Sequence, residues 1–450
     1  MANLQAITKT CTPRPDVLAG TLSDEHFAAD LDHIVRDPAS YPVYGDPEEF
    51  FALTHPTKGL RDLLARTFGR ISGAKGIPGT EKGVLRPQTS FGGGKTHGLI
   101  ALYHLAKGAR PTDLERFVDV ALLPKECRIT ATVGDKFEPV GGIETRLGDT
   151  GQTVTTLTLW GDLAAQLGTD AWDAMKAADA ARSAPGSDTW AKAIGDTPTI
   201  VVIDEIVQHM RQCATSGDED VRRQAQAIPV FLKALFQHAA ATPHVVVVVS
   251  LATHADAYGK ETTELERLLD EHLEAADEAA ADAQSVLARQ QTIIRPAEDS
   301  EIAEILKTRL FAAIDEKAAK AASDEYRSLY DDIAGNGITL PDGADTPSAY
   351  AERLEGAYPF HPELVRVLDK RIGTLPNFQR ARGALRLLAE VIAALWEDGT
   401  DAPTLNVADV DLRAGNVLTN LTTALGRDAY EPAARADITD PESHAAAVDK

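Results

Sequence analysis

Apolar positions recur at helical spacing in "DEHFAADLDHIV" and "KGLRDLLARTFGRISG" near the start of the chain. They predict a mixed, mostly helical lead-in over residues 1–80. It closes on a Gly/Pro-rich loop, "GAKGIPGTEKG", Gly73 to Gly83. The pattern then shortens. "VLRPQ" predicts a strand, "GLIALYHLAKG" a helix stopped by Gly108, and "RITATV" a second strand. "TVTTLTLWGDLAAQLG" predicts a strand passing into a helix, and the Ala/Asp/Ser-rich residues 170–195 predict an insertion of one or two surface helices. "TIVVIDE", Thr199 to Glu205, and "HVVVVVSLATH", His244 to His254, are continuous β-branched runs. Such runs suit parallel strands covered on both faces.

Further on, "ETTELERLLDEHLEAADEAAADAQSVLARQ" carries a narrow apolar stripe and an acidic outer face, which predicts one long helix. A short strand "TIIRP" follows. Everything beyond Pro296 reads as helical, through "EIAEILKTRLFAAI", "HPELVRVLDKRI" and "ARGALRLLAEVIAALW". The chain therefore divides into the lead-in (1–80), an α/β domain (81–296) with its insertion near 170–195, a helical lid (297–400) and a C-terminal segment (401–450). The expected fold class is α/β: a parallel sheet with helices on both faces, then an all-helical lid domain.

Charge narrows the possible partners. The 68 acidic and 45 basic residues leave a net charge of −23. A surface of that sign repels nucleic-acid phosphates, so any DNA contact is local and not made through overall charge. Cys11, Cys127 and Cys213 are too few and too scattered for a disulfide framework. His209 and Cys213 stand four apart, but no second pair completes a zinc site. "MANLQAITKTCTPRPD" lacks the basic-then-apolar pattern of a signal peptide, and "VVVVV" is far too short to span a bilayer. A cytoplasmic protein without a membrane association is expected.

The chemistry concentrates in "TSFGGGKTH". It follows a strand and opens a helix, the context in which a glycine run cradles phosphate. Ser90, Phe91, Gly92, Gly93, Gly94, Lys95, Thr96 and His97 are its candidate nucleotide contacts. The glycines free backbone N–H groups to point inward, and the helix N-terminus adds partial positive charge. Lys95 would reach the β- and γ-phosphates, and the Thr96 hydroxyl would sit on Mg²⁺. The match to G-x-x-x-x-G-K-[ST] departs at Thr89, which stands in for the first glycine, and Pro87 sits awkwardly in a strand that should be central. A plain Gly-rich turn before a helix is the alternative. "TIVVIDEI" shifts the balance. Asp204 at the end of a buried strand would complete the Mg²⁺ shell, and Glu205 would polarise the attacking water. Thr253 or Ser250, after the valine strand, would orient that water if the strand lies beside Asp204; equally, "THAD" reads as a helix cap. Arg289, Arg380, Arg382 and Arg386 are basic residues available to a nucleotide. No motif separates ATP from GTP.

The order of these motifs resembles an AAA+ ATPase of the ASCE class. By that resemblance Arg289, just before the last strand, is the arginine finger acting on a neighbouring subunit, and Arg386 is the sensor-2 arginine. "FGGGKTHGLIALYHL", "TLWGDLAAQLG", "YPFHPELVRVL" and "GTLPNFQRARGALRLLAE" further resemble a family of large prokaryotic ATP-binding proteins, long catalogued as a domain of unknown function. That family includes the ATPase of type 2 bacteriophage-exclusion (BREX) defence systems. The resemblance implies a Mg²⁺-dependent ATPase, a motor or switch in anti-phage defence. Other defence-system proteins, such as a DNA methyltransferase, and further copies of the chain would be its partners. Its members are typically longer, so an N-terminal portion is expected here. A nucleotide-gated scaffold that binds ATP without appreciable turnover is the competing expectation.

Overall fold

The computed structural model describes residues 4–20, 22, 29–77, 79–87, 94–250, 267, 293–294, 301–340, 344, 346–368, 381–424 and 426–448. Nine strands lie among them: β1 (Cys11–Pro13), β2 (Val84–Pro87), β3 (Arg128–Val133), β4 (Ile143–Arg146), β5 (Thr153–Thr156), β6 (Thr199–Asp204), β7 (Val245–Val249), β8 (Ile293–Ile294) and β9 (Phe311–Ile314). Five form a parallel sheet in the order β3-β6-β7-β2-β8, the last only two residues long. The valine run of β7 and the "TIVVI" of β6 lie side by side at its centre, and every residue of both is buried. Their β-branched side chains fill both faces, which is why neither run alternates with polar residues.

Each face carries its own layer of helices. Ile129, Ala131, Val133, Ile200, Val202, Val246 and Val248 cluster with the helices Lys58–Ser72 and Lys95–Ala106. Val201, Ile203, Val245, Val247 and Val249 cluster with Leu159–Leu167, Ile206–Ala214 and Glu219–Ala241. The insertion forms the helices Thr169–Ala180 and Ser187–Ile194, and it is not merely superficial. Met175 and Trp190 are fully buried in that second layer.

β5 and β9 both lie outside the main sheet. β5 pairs antiparallel with β4 in a separate ribbon, so "TVTT" does not join the main sheet. The helical reading of "EIAEILKTRLFAAI" holds only through Leu310. Phe311–Ile314 is β9, antiparallel to β1. Four apolar or small residues continue a helical stripe as well as they form a strand, and tertiary pairing decides between the two. The lid is therefore not all-helical. Its core also takes in Ile7, Cys11 and Val17 from the start of the chain, beside helices Ile302–Leu310, Glu316–Gly335, Pro347–Ala357 and Ala381–Asp398. The Thr10 hydroxyl meets the Tyr358 hydroxyl at 2.6 Å, and the Ile7 N–H donates to the Ala402 carbonyl at 2.9 Å. Pro87 stands at the last position of β2, paired with Ile294 of the shortest strand, so its missing donor falls at the end of the ladder.

Arg70 fastens the helix Lys58–Ser72 to the sheet. Its Nε donates to Val245 O, Nη1 to Thr80 O and Glu81 O, and Nη2 to Ala239 O and Thr242 O. All five N–H donors of the guanidinium are thereby used. Replacing the side chain by an apolar one of similar length strands the carbonyls of Val245, Thr80 and Glu81, while those of Ala239 and Thr242 keep the N–H groups of Thr242 and Val245. Arg70→Met is expected to destabilise the fold by about 3 kcal/mol, at about 1 kcal/mol for each carbonyl left without a donor. Urea unfolding midpoints of the two proteins check it, and a loss below about 1 kcal/mol would show the clamp to be dispensable.

Candidate phosphate-binding site

The carboxyl ends of β2, β6 and β7 meet on one side of the sheet, the edge where open parallel sheets receive ligands. The helix Lys95–Ala106 starts there. Its N-cap, Gly94, has φ 129°, a conformation open to glycine and strained for any residue with a Cβ. Lys95 and Thr96 form the first turn. The Thr96 hydroxyl donates to Asp204 Oδ2 at 3.0 Å, joining the glycine run to the end of β6 across 108 positions of sequence. Asp204 is 1% exposed, and its other oxygen, Oδ1, has no hydrogen-bond partner. Ser250 directly follows β7, its N–H bonded to Ile203 O at 2.9 Å. Its hydroxyl is likewise buried and without a partner. By strand alternation Asp204 and Ser250 continue the sheet face that carries the helix Lys95–Ala106.

The electrostatics of this corner are unusual for a sheet end. Burial pushes the Lys95 ammonium down from its ordinary value, against the attraction of Glu205 and Asp204 and with the repulsion of Arg86. Burial, then the charge of Asp204, raises the Glu205 carboxyl to about 7, with Lys95 opposing and Asp135 adding to the rise. Glu205 also adopts φ 52°, ψ 34°, a left-handed conformation uncommon outside glycine. Strain of that kind tends to gather at functional positions.

An orphaned carboxylate oxygen beside a threonine hydroxyl suits a divalent cation such as Mg²⁺, which takes one or two carboxylates and leaves its other positions to water and phosphate. Thr96 and Asp204 are the residues that would hold it. Among the described residues no group of three His, Cys, Asp or Glu side chains is arranged to hold a metal without such help.

Other expected site residues fall elsewhere. His97 turns its ring away from the acids. Its centroid lies 4.5 Å from that of Phe50 and 5.9 Å from that of Tyr44, and Nε2 lies 2.8 Å from the Thr54 hydroxyl. That hydroxyl already donates to Phe50 O, so His97 Nε2 carries the hydrogen. The ring packs among these side chains, which leaves the backbone N–H of His97 as its group nearest the helix start. Arg386 is exposed and borders a small pocket with Val17, Gly20, Leu22, Ala389, Glu390 and Ala393 on the helical unit. Ser90, Phe91, Gly92, Gly93, Thr253, Arg289 and Arg380 lie outside the described residues, as does the side chain of Arg382. Two residues whose charges bear on the site went unread in the sequence. Arg86 is buried in β2, and Asp135 follows β3. For Asp135 the available signal was "VGDK", a glycine and an acid closing a buried strand.

Family profiles cover nearly all of the chain. The DUF499 N-terminal domain matches residues 8–280, and the DUF499 second domain matches residues 297–450. The chain belongs to the DUF499 family. Searches of curated proteins and of solved structures returned no significant match. No helix among the described residues is long and apolar enough to cross a membrane.

His97 also sets a pH dependence. Burial, with Arg309 and His104 adding to it, lowers its pKa to about 3, against about 6.5 in the unfolded chain. Between those values the unfolded state binds the extra proton, so stability is lost as pH falls below about 6.5. His97→Gln retains a donor and has no proton to gain. The stability difference between wild type and this variant is expected to shrink by about 2 kcal/mol from pH 7.5 to pH 5. Urea titrations at the two pH values check it; a constant difference would mean the ring is charged or exposed in the native state.

Proposed function

We propose that the chain binds ATP with Mg²⁺ and hydrolyses it, as an AAA+-like P-loop motor or switch working with partner proteins in a prokaryotic anti-phage defence system. The observation that carries the nucleotide reading is the Thr96–Asp204 bond, with the unpartnered Asp204 Oδ1 beside it. A strand end and a helix start far apart in sequence converge on one carboxylate, and the residues there fit a divalent cation. The order of the sheet also supports the reading, since β7 lies between the strand leading into the glycine run and the acidic strand and brings Ser250 with it. The defence role, and partners such as a DNA methyltransferase, rest on the family resemblance alone.

In this reading the loop N–H groups and Lys95 bind the β- and γ-phosphates. Thr96 and Asp204 hold Mg²⁺, which when bound neutralises phosphate charge. Glu205 orients a water molecule in line with the γ-phosphate and takes its proton as the water attacks. The raised proton affinity of Glu205 makes it a stronger base than an ordinary carboxylate. Ser250, which follows the neighbouring strand, would hold the same water. The scaffold alternative lacks a use for a strained, buried acid at this position.

Two variants test the reading. Lys95→Ala removes a charged contact worth about 1.5–3 kcal/mol, so nucleotide affinity by calorimetry should fall on the order of ten- to a hundredfold. Unchanged affinity in a folded variant would sink the phosphate-site assignment. Glu205→Gln keeps shape but loses the base, so binding should persist while phosphate release collapses. Wild-type turnover in this variant would remove Glu205 from the mechanism, and a wild type that binds without turnover would leave the scaffold.

A further inference from the structure

We propose that Asp135 is a third carboxylate of the nucleotide site, accepting hydrogen bonds from water molecules on the divalent cation that Thr96 and Asp204 hold. The inference rests on the phosphate-site reading above.

Its position is fixed from two sides. β3 pairs with β6 along its whole length, ending with Val133 opposite Asp204, so the turn Gly134–Lys136 emerges beside the acidic pair. Gly134 is pressed against the next residues of the β6 connection. A Cβ there would stand 2.5 Å from Glu205 O and 2.9 Å from Ile206 Cα, so no larger residue fits without moving the turn. The backbone thus holds Asp135 in place independently of its own side chain.

The side chain is left over by the fold. Asp135 Oδ1 is buried and has no hydrogen-bond partner among the described residues, as is true of Asp204 Oδ1. The adjoining cation, Lys136, reaches across to Asp30 Oδ2 at 3.4 Å. Two carboxylate oxygens buried without donors are costly, and a purely structural pair would have acquired donors from the fold. A divalent cation answers the Asp204 oxygen, and a water molecule on that cation supplies a donor to Asp135. Among the described residues no group of three His, Cys, Asp or Glu side chains comes together to hold a cation by itself, so water must complete its shell. Contact through water fits that limit. Outer-shell partners of this kind orient the inner shell and tune metal affinity.

Calorimetric titration of a non-hydrolysable ATP analogue, with Mg²⁺ and with chelator, separates the possibilities. The quantity read is the ratio of the two affinities. In Asp135→Asn the ratio is expected to fall about tenfold. The metal-free affinity should stay level or tighten, because a negative charge near the triphosphate is gone. Thermal unfolding without ligand should be unchanged or shifted upward, the opposite of losing a structural residue. Asp135→Ser repeats the test if the amide variant fails to fold. A wild-type ratio in the Asp135 variants, alongside a collapsed ratio in Asp204→Asn, would overturn the role of Asp135 and leave the phosphate site standing. Unaltered nucleotide binding in Asp204→Asn and Lys95→Ala alike would overturn the phosphate-site reading and this inference with it.

Discussion

A carboxylate at the end of an apolar strand governs the arrangement of this domain. Ile200 to Ile203 are fully buried, and Asp204 follows them at 1% exposure. Burying a charge there costs several kcal/mol unless it is paired and hydrogen-bonded. The compensation comes from one place, the first turn of the helix Lys95–Ala106, as a hydroxyl donor from Thr96 and positive charge from Lys95. The helix start is therefore held against the end of β6, and Gly94 takes the conformation that lets it begin there. Compensation is partial. One oxygen of Asp204 stays without a donor, and Glu205 is confined beside it in a left-handed conformation. What remains is a site with unspent negative potential.

The same helical turn has a second face. Successive residues of a helix point about 100° apart, so His97 cannot follow Thr96 toward the acids. Its ring packs with Phe50, Tyr44 and Thr54, and Arg309 of the helix Ile302–Leu310 lies over the Tyr44 ring at 5.7 Å. Arg14 binds the same region, donating to Thr308 O on one side and Ala52 O on the other. Glu301 accepts from the Lys58 N–H at 2.7 Å. The start of the helix Lys95–Ala106 thus touches the acids on one face and, through one layer of side chains, the helical unit on the other. On the proposed reading, a shift of that turn on loading the site would have a direct mechanical path into the second unit, with the β1–β9 ribbon tying the beginning of the chain to the same body.

Local features were legible in the sequence, and long-range ones were not. "GGGKT" and "IDE" are each readable because backbone freedom, a point charge and strand-end carboxylates have short signatures. Their meeting followed from the general rule that ligands bind at the carboxyl ends of parallel strands. Asp135 had no such signature, because its place depends on β3 pairing with β6, and strand order is not written in any one segment. β9 was missed for a related reason: "FAAI" is compatible with helix, and its partner β1 lies far away in sequence. His97 adjoins the loop in sequence, and helical geometry turns its ring to another face than the Thr96 side chain.

Charge bookkeeping links the site to the surface around it. The chain carries −23 overall, and at the corner the carboxylates Asp135, Asp204 and Glu205 face the cations Lys95 and Arg86. A bare triphosphate approaching this corner meets a field that is not attractive at long range and is close to balanced at short range. A triphosphate already carrying a divalent cation meets a different one: its own charge is reduced, and its cation answers the unpartnered carboxylate oxygens. On the proposed reading, selectivity for the metal-loaded nucleotide would arise from what the fold leaves unsatisfied, more than from the donors it provides. The helix N-terminus and Lys95 would fix where the phosphates lie, and the surplus of acid would decide in which form they arrive.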